Sequence, residues 1–242
     1  MKIAVITPYY KEPISYLKEC HESVLAQKVK ADHFFIADGH PNDQLNDWDI
    51  KHILLPFSHS DNGNTPRGIG SVLASSEGHD FIAYLDADNW FHPNHLSSLT
   101  DLFNNTGADI CASFRSIHSL DGKELPAIQD SDEKDFLHID TSCYLLHKSA
   151  FDLVDIWLKM PKILSPLCDR VFFQGAINKR YKIASTKQKT CAFRTQYKVH
   201  YQLANLVPPT NAKDAVGQEC YEYLSKIEGL RESVDKLGFI PL

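Results

Sequence analysis

Short apolar runs alternate with helix-periodic segments over the first part of the chain, and this alternation constrains the fold more than any other feature. Lys2 to Thr7 is β-branched and unbroken, the pattern of a strand buried on both faces. Pro8 and Pro13 punctuate the loop that follows, and from Ile14 to Gln27 the residues Ile14, Leu17, Val24 and Leu25 recur at near-helical spacing. His33 to Ala37 predicts a second buried strand, stopped by Asp38-Gly39, and Ile53 to Leu55 a short third. A Ser-, Asn- and Gly-containing loop runs from Ser58 to Thr65. Pro66 then suits a first helical position, and Ile69, Val72 and Leu73 give the next helix an apolar side. Phe81 to Leu85 predicts another strand and Pro93 to Phe103 a helix.

This order predicts an α/β fold, a mostly parallel sheet with helices on both faces. In such sheets ligands gather at the carboxyl ends of the strands. Those ends here carry Thr7, Asp38 and the pair Asp86/Asp88. The second half is less regular. Asp109 to His118 and Leu137 to His147 read as strands, and Asp169 to Asn178 as a helix. Pro208-Pro209 marks a break, and Gln218 to Leu237 carries a helical pattern. The expected organisation is one domain over 1–205, in two halves (1–105 and 106–205), and a helical extension over 206–242.

Composition narrows the function class. With 242 residues, 43% of them hydrophobic, the chain can bury a sizeable core without a structural metal or disulfides. A formal net charge of -6 argues against coating nucleic acid but leaves room for an anionic small-molecule donor held locally. The six cysteines are scattered with no Cys-x-x-Cys pair, which suits free thiols in a reducing cytoplasm. Met1 to Ile6 is too short for a secretory apolar segment, and no run reaches the roughly 20 apolar residues of a membrane span. The expected location is the cytoplasm, with any membrane contact made peripherally at its inner face.

Asp86 and Asp88 follow a buried strand and confine two carboxylates in a small volume. Such a pair repels itself unless a cation intervenes, which suits Mn²⁺ or Mg²⁺ held jointly by the protein and a diphosphate.

Four pieces in order now carry a resemblance: Ile-Thr-Pro-Tyr-Tyr at 6–10, Ile-Ala-Asp-Gly at 36–39, Asn-Thr-Pro-Arg-Gly-Ile-Gly at 64–70, and Phe-Ile-Ala-Tyr-Leu-Asp-Ala-Asp-Asn at 81–89. Together they resemble the family 2 glycosyltransferases, inverting enzymes of GT-A fold that use nucleotide-sugar donors. The resemblance implies that Thr7 and Tyr9 contact the base and that Asp38 bonds the base or ribose. It places Arg67 near the nucleotide, Asp86 near ribose and metal, and Asp88 on the metal. Ala37 stands where family members often carry a second acid, and Gly68 where an Asn follows the arginine. A UDP-sugar is the favoured donor class, and the implied acceptor is a glycan or lipid-linked saccharide.

An inverting transfer also needs a base for the acceptor hydroxyl. The resemblance places it at the start of a late helix, where Pro166-Leu167-Cys168-Asp169-Arg170 makes Asp169 the choice and Asp140 the reserve. Cys168 replaces the usual preceding acid. A late histidine completes the metal shell in some GT-A enzymes, and His200 is the match. His92 and His95 read as surface residues.

Four other readings compete, and the last of them is an inactive relative of the same fold. A haloacid-dehalogenase-like phosphatase would need its Asp-x-Asp followed by Gly-Thr or Gly-Val near the chain start, whereas Asn89-Trp90 follows here. Nucleotidyltransferases and dinucleotide dehydrogenases need a glycine-rich loop after the first strand, and Pro8-Tyr9-Tyr10-Lys11 has none. An inactive GT-A module that binds a sugar nucleotide or a partner is the fourth. The C-terminal helix would then be the partner surface, although packing on the core is preferred and self-association second.

Overall fold

The computed structural model describes residues 1–125, 128, 138–214 and 216–242. Its strands are β1 (Ile3–Tyr9), β2 (Asp32–Ala37), β3 (Lys51–Leu54), β4 (Phe81–Tyr84), β5 (Trp90–Phe91), β6 (Ile110–His118), β7 (Tyr144–His147) and β8 (Ile183–Arg194). Among the described residues they form one sheet in the order β3-β2-β1-β4-β7-β6-β8-β5. Pairing is parallel from β3 to β4 and antiparallel at β4–β7 and β7–β6. It is parallel again at β6–β8 and antiparallel at β8–β5. The sheet is therefore mixed, with its parallel block on the amino-terminal side.

That block follows from sequence. All seven residues of β1 and five of six in β2 are buried, so both faces must be covered by helices. The helix α1 (Ile14–Leu25) buries Leu17, Cys20, His21 and Val24, one stripe at helical spacing. The helix α2 (Asn64–Ser76) lies on the sheet differently from the prediction. Val72 is exposed, and the buried stripe is Arg67, Gly70, Ser71 and Ala74. A Cβ on Gly70 would sit 2.7 Å from both Ile36 and Ile6, so small residues set how closely this helix approaches β1 and β2.

In the second half, α3 (His95–Thr106) covers β6 and β8, and it ends at Gly107 in the left-handed region with φ 61°. The predicted strand from Leu137 begins outside the described residues. Regular pairing starts only at Tyr144, because Thr141–Cys143 is a 3-10 turn capped by Asp140, whose side chain accepts from the Ser142 amide at 3.0 Å. Short helices α4 (Asp155–Lys159) and α5 (Cys168–Asn178) flank another 3-10 turn, Lys162–Leu167. β5 and β8 escaped the sequence reading. β8 carries Ser185 to Lys189, a polar stretch exposed from Lys187 onward, which hides its strand pattern.

The helix α6 (Lys198–Leu203) follows β8. The single carboxyl-terminal helix that the periodicity predicts is two, α7 (Gln218–Leu224) and α8 (Ile227–Leu237), broken where Lys226 turns extended. The tail packs on the core. Buried Cys220 bonds the Ile163 carbonyl at 3.1 Å, and the Phe239 ring lies 3.0 Å from where a Cβ on Gly175 would stand. Among the described residues no helix is long and apolar enough to cross a membrane.

Candidate active site

A cavity of about 1050 Å³ opens at the carboxyl ends of the parallel strands. Its lining includes Tyr9, Asp38, Arg67, Asp86, Asp88, Asp140, Asp169 and His200, so residues spread from the first strand to the sixth helix converge on one space. Lys213 and Val216, beyond residue 205, also reach it.

On one wall, Asp86 and Asp88 leave the end of β4 as the chain turns toward β5. Buried Arg67 donates from Nη2 to Asp86 Oδ1 at 2.8 Å and from Nη1 to Asn64 Oδ1 at 3.3 Å. Its guanidinium lies 4.8 Å from the Trp157 ring centre, and that ring stacks on Phe172 at 4.2 Å. Phe172 belongs to α5, so a packed aromatic wall ties the arginine to the helix that carries Asp169. Among the described residues no cation pairs directly with Asp88, and the charge of Arg194 only partly offsets what raises its pKa. Gln196 Nε2 reaches its Oδ2 at 3.5 Å, and burial, then the charges of Asp86 and Glu12, push its carboxyl up to about 7.

Asp38 sits at the end of β2 with its oxygens engaged. The His59 amide donates to Oδ1 and Oδ2 at 3.0 and 3.1 Å, His59 Nδ1 pairs with Oδ1 at 2.7 Å, and Ser58 Oγ donates to Oδ2 at 3.2 Å. The carboxylate thus draws the loop after β3 onto the cleft. Gly39, at φ 75°, permits this approach, since a Cβ there would lie 2.3 Å from the Ser58 nitrogen. The Tyr9 hydroxyl is fixed by His52 Nε2 at 2.7 Å and the Asn42 amide at 3.0 Å.

On the opposite wall, Asp169 occupies the first turn of α5, accepting from the Arg170 amide at 2.8 Å. His138 Nε2 stands 3.3 Å from its Oδ2. Burial raises the Asp169 carboxyl above its ordinary range, with His138 pulling the other way. Asp140 is paired with Arg115 and caps its own turn. Cys168 is lifted by burial to about 12, which keeps it a neutral thiol.

Three expectations need correction. Thr7 is fully buried and does not line the cavity, and its hydroxyl bonds His33 Nε2 at 2.9 Å beneath the floor. His200 lines the cavity, but its Nδ1 bonds Thr195 Oγ1 at 2.7 Å. Among the described residues no three His, Cys, Asp or Glu side chains come together as a ligand set, so His200 is not assembled with Asp86 and Asp88. His92 and His95 are not surface residues. His95 is fully buried and stacks on Phe91 at 3.9 Å, and His92 bonds Ser116 Oγ at 3.1 Å. His95 opens α3, which covers the sheet, so its imidazole serves as a packing ring, while His92 lies half-buried just before that helix.

The sequence reading missed Glu12, Arg115, His138 and Gln196, all in the lining. Arg115 left one signal, a lone charged side chain inside a strand that is otherwise buried.

Two carboxylates, one with no directly paired cation among the described residues and both with pKa raised by burial, fit a divalent ion that takes its remaining ligands from substrate phosphates.

The model of a family described as glycosyl transferase family 2 matches residues 4–152. No curated protein matches the sequence. Among solved structures, S. aureus TarS 1-349 superposes with a TM-score of 0.64 at 16% identity, covering 84% of this chain and 63% of that one. The same protein in complex with UDP gives 0.62 at 16% identity, over 98% of this chain and 71% of that one. Its complex with UDP-GlcNAc gives 0.60 at 13%, over 97% and 73%. At these identities the likeness is one of fold.

Proposed function

Since this chain belongs to glycosyl transferase family 2, we propose that it is an inverting glycosyltransferase that moves a sugar from a nucleoside diphosphate to a hydroxyl of a glycan or lipid-linked acceptor. The observation that carries this reading is the arrangement of one cleft, with a carboxylate pair beside a buried arginine on one wall and a carboxyl of raised pKa on the other. UDP is the favoured nucleotide, a choice supported by fold neighbours whose structures hold UDP and UDP-GlcNAc.

Asp88 and Asp86 would hold Mn²⁺ or Mg²⁺. When bound, the ion supplies Lewis-acid stabilisation of the charge that grows on the departing diphosphate. Arg67 is held in place by Asp86, Asn64 and the Trp157 face, and adds positive charge without reorganising. Tyr9 offers a ring whose hydroxyl is already committed. Asp38 acts on the nucleotide pocket through the loop it anchors.

Asp169 serves as the base that accepts the acceptor hydroxyl proton. Its raised pKa brings it closer to the working range of a general base, and His138 beside it pulls the other way. Asp140 is engaged by Arg115, which suits an acceptor-orienting role better than proton transfer. The catalytic domain would span 1–205, with 206–242 completing the cleft rim.

The test is release of nucleoside diphosphate from a panel of UDP-, GDP- and dTDP-sugars, with Mn²⁺ or with chelator, across simple glycan acceptors. Metal-dependent release from one donor, with inversion at the anomeric carbon of the product, is the expected result. No turnover and no hydrolysis of any sugar nucleotide would sink the proposal.

A further inference from the structure

The Asp86–Asn89 turn must present two repelling carboxylates to the cleft, and something on its far side has to hold it. We propose that Arg194 is a positioning residue for this turn, acting through the backbone of Asp88 and the side chain of Asn89. The inference rests on the glycosyltransferase reading given above.

Arg194 closes β8 and is 4% exposed. Its Nε donates to the Asp88 carbonyl at 3.0 Å, and its main-chain amide donates to Asn89 Oδ1 at 2.9 Å. Nη1 donates to the Leu120 carbonyl at 2.7 Å, and Nη2 pairs with Glu19 of α1. The rings of Tyr16 and Trp90 lie 4.2 and 4.8 Å from the guanidinium carbon. A residue 106 positions from Asp88 thus bolts the turn to α1 and to the loop after β6. Planarity, a fixed fork of donors and two aromatic contacts suit arginine and not lysine.

The turn is held at a second point by the same network. Asn89 Nδ2 donates to Ser142 Oγ at 3.3 Å, and the Asp86 amide donates to the same hydroxyl at 3.1 Å. The Ser142 amide in turn donates to Asp140. Arg194, Asn89 and Ser142 therefore fix the backbone on either side of Ala87 while leaving the Asp86 and Asp88 carboxylates to the cavity. A buried arginine that merely satisfied itself would not need the Nε bond to the Asp88 carbonyl, whereas the bond to Asn89 comes from the main chain and persists in side-chain variants.

The experiment compares wild type with Arg194→Lys, Arg194→Met, Ser142→Ala and a core control, Leu153→Ala, whose side chain is buried away from the turn. Binding of Mn²⁺ alone is titrated by electron paramagnetic resonance, and UDP is titrated by calorimetry with Mn²⁺ and with chelator. Both Arg194 variants are expected to weaken Mn²⁺ and Mn²⁺-dependent UDP binding by about 10–100-fold, as loss of an orienting outer partner does at metal sites. Chelator-insensitive binding should change little, and Leu153→Ala should lose melting temperature but keep its affinities. Folded Arg194 variants with wild-type affinities would overturn the inference. If those variants do not fold, Ser142→Ala decides in the same way, because it removes one hydroxyl and little volume. Wild-type protein that binds neither UDP nor Mn²⁺ would instead bring down the glycosyltransferase reading, and this inference with it.

Discussion

The two walls of the cleft are made by different means. On the donor wall, Tyr9, Asp38 and Asp86 stand at or just beyond the ends of parallel strands, and the buried sheet beneath them fixes their spacing. On the acceptor wall, Asp140 and Asp169 stand on a 3-10 turn and a first helical turn, each steadied by one partner distant in sequence. The buried sheet sets where that wall's strand ends stand, and the polar bonds from Arg67, Ser142 and Arg194 then hold the turn that carries Asp86 and Asp88. The acceptor wall depends on a few polar pairs. Binding of the nucleotide should therefore be separable by mutation from transfer of the sugar.

The sharpest test of that separation is Asp169→Asn. Turnover should fall by about 10²–10⁴-fold, the usual contribution of a positioned base, while UDP affinity by calorimetry stays near wild type. Loss of both together would merge the walls into one unit and return attention to Asp140.

A donor-side counterpart is Gly39→Ala. The added Cβ meets the Ser58 backbone nitrogen at 2.3 Å at a residue with φ 75°. Strain of this kind costs about 1–3 kcal/mol, so urea melts should show that loss and UDP binding should weaken as the loop leaves Asp38. Full affinity in a destabilised protein would detach this loop from the donor site.

A smaller effect belongs to His138. Because burial raises Asp169 and His138 opposes it, the turnover rate should fall as pH drops through the raised carboxyl pKa. Removing the imidazole in His138→Ala should move that acidic limb to higher pH. An unmoved limb would mean that another group titrates.

The last effect concerns stability rather than activity and leaves both walls untouched at neutral pH. Burial pushes His95 down to about 3, so it stays neutral in the folded protein while the unfolded imidazole takes up a proton below about 6.5. Stability should decline as pH falls from there toward 3, and His95→Phe should flatten that decline in pH-dependent melts. Identical slopes would show that other groups dominate.

The same contrast explains what the sequence made legible. Val5, Phe35 and Ile82 lie in unbroken apolar runs, so strands β1, β2 and β4 and the polar residues at or just beyond their ends could be read directly. Asp169 became visible only through resemblance, because a first-turn acid is equally an ordinary helix feature. β8 stayed hidden since its exposed middle, Lys187 to Lys189, looks like a loop until the sheet forms around its ends. Arg194 was illegible for a related reason: its partners Asp88, Glu19 and Leu120 are far from it in sequence. Thr7 and His95 show the opposite error. Thr7 was given to ligand and His95 to solvent, and the structure holds both inside, Thr7 on His33 and His95 through Nδ1 on Thr190.

The most direct test of the account is calorimetric titration of UDP into wild type and Asp88→Ala, each with Mn²⁺ and with chelator. Wild type should bind in a Mn²⁺-dependent way, and Asp88→Ala should lose that dependence. Binding that ignores both the metal and Asp88, or no binding at all, would contradict the central claim that this carboxylate pair forms the donor site.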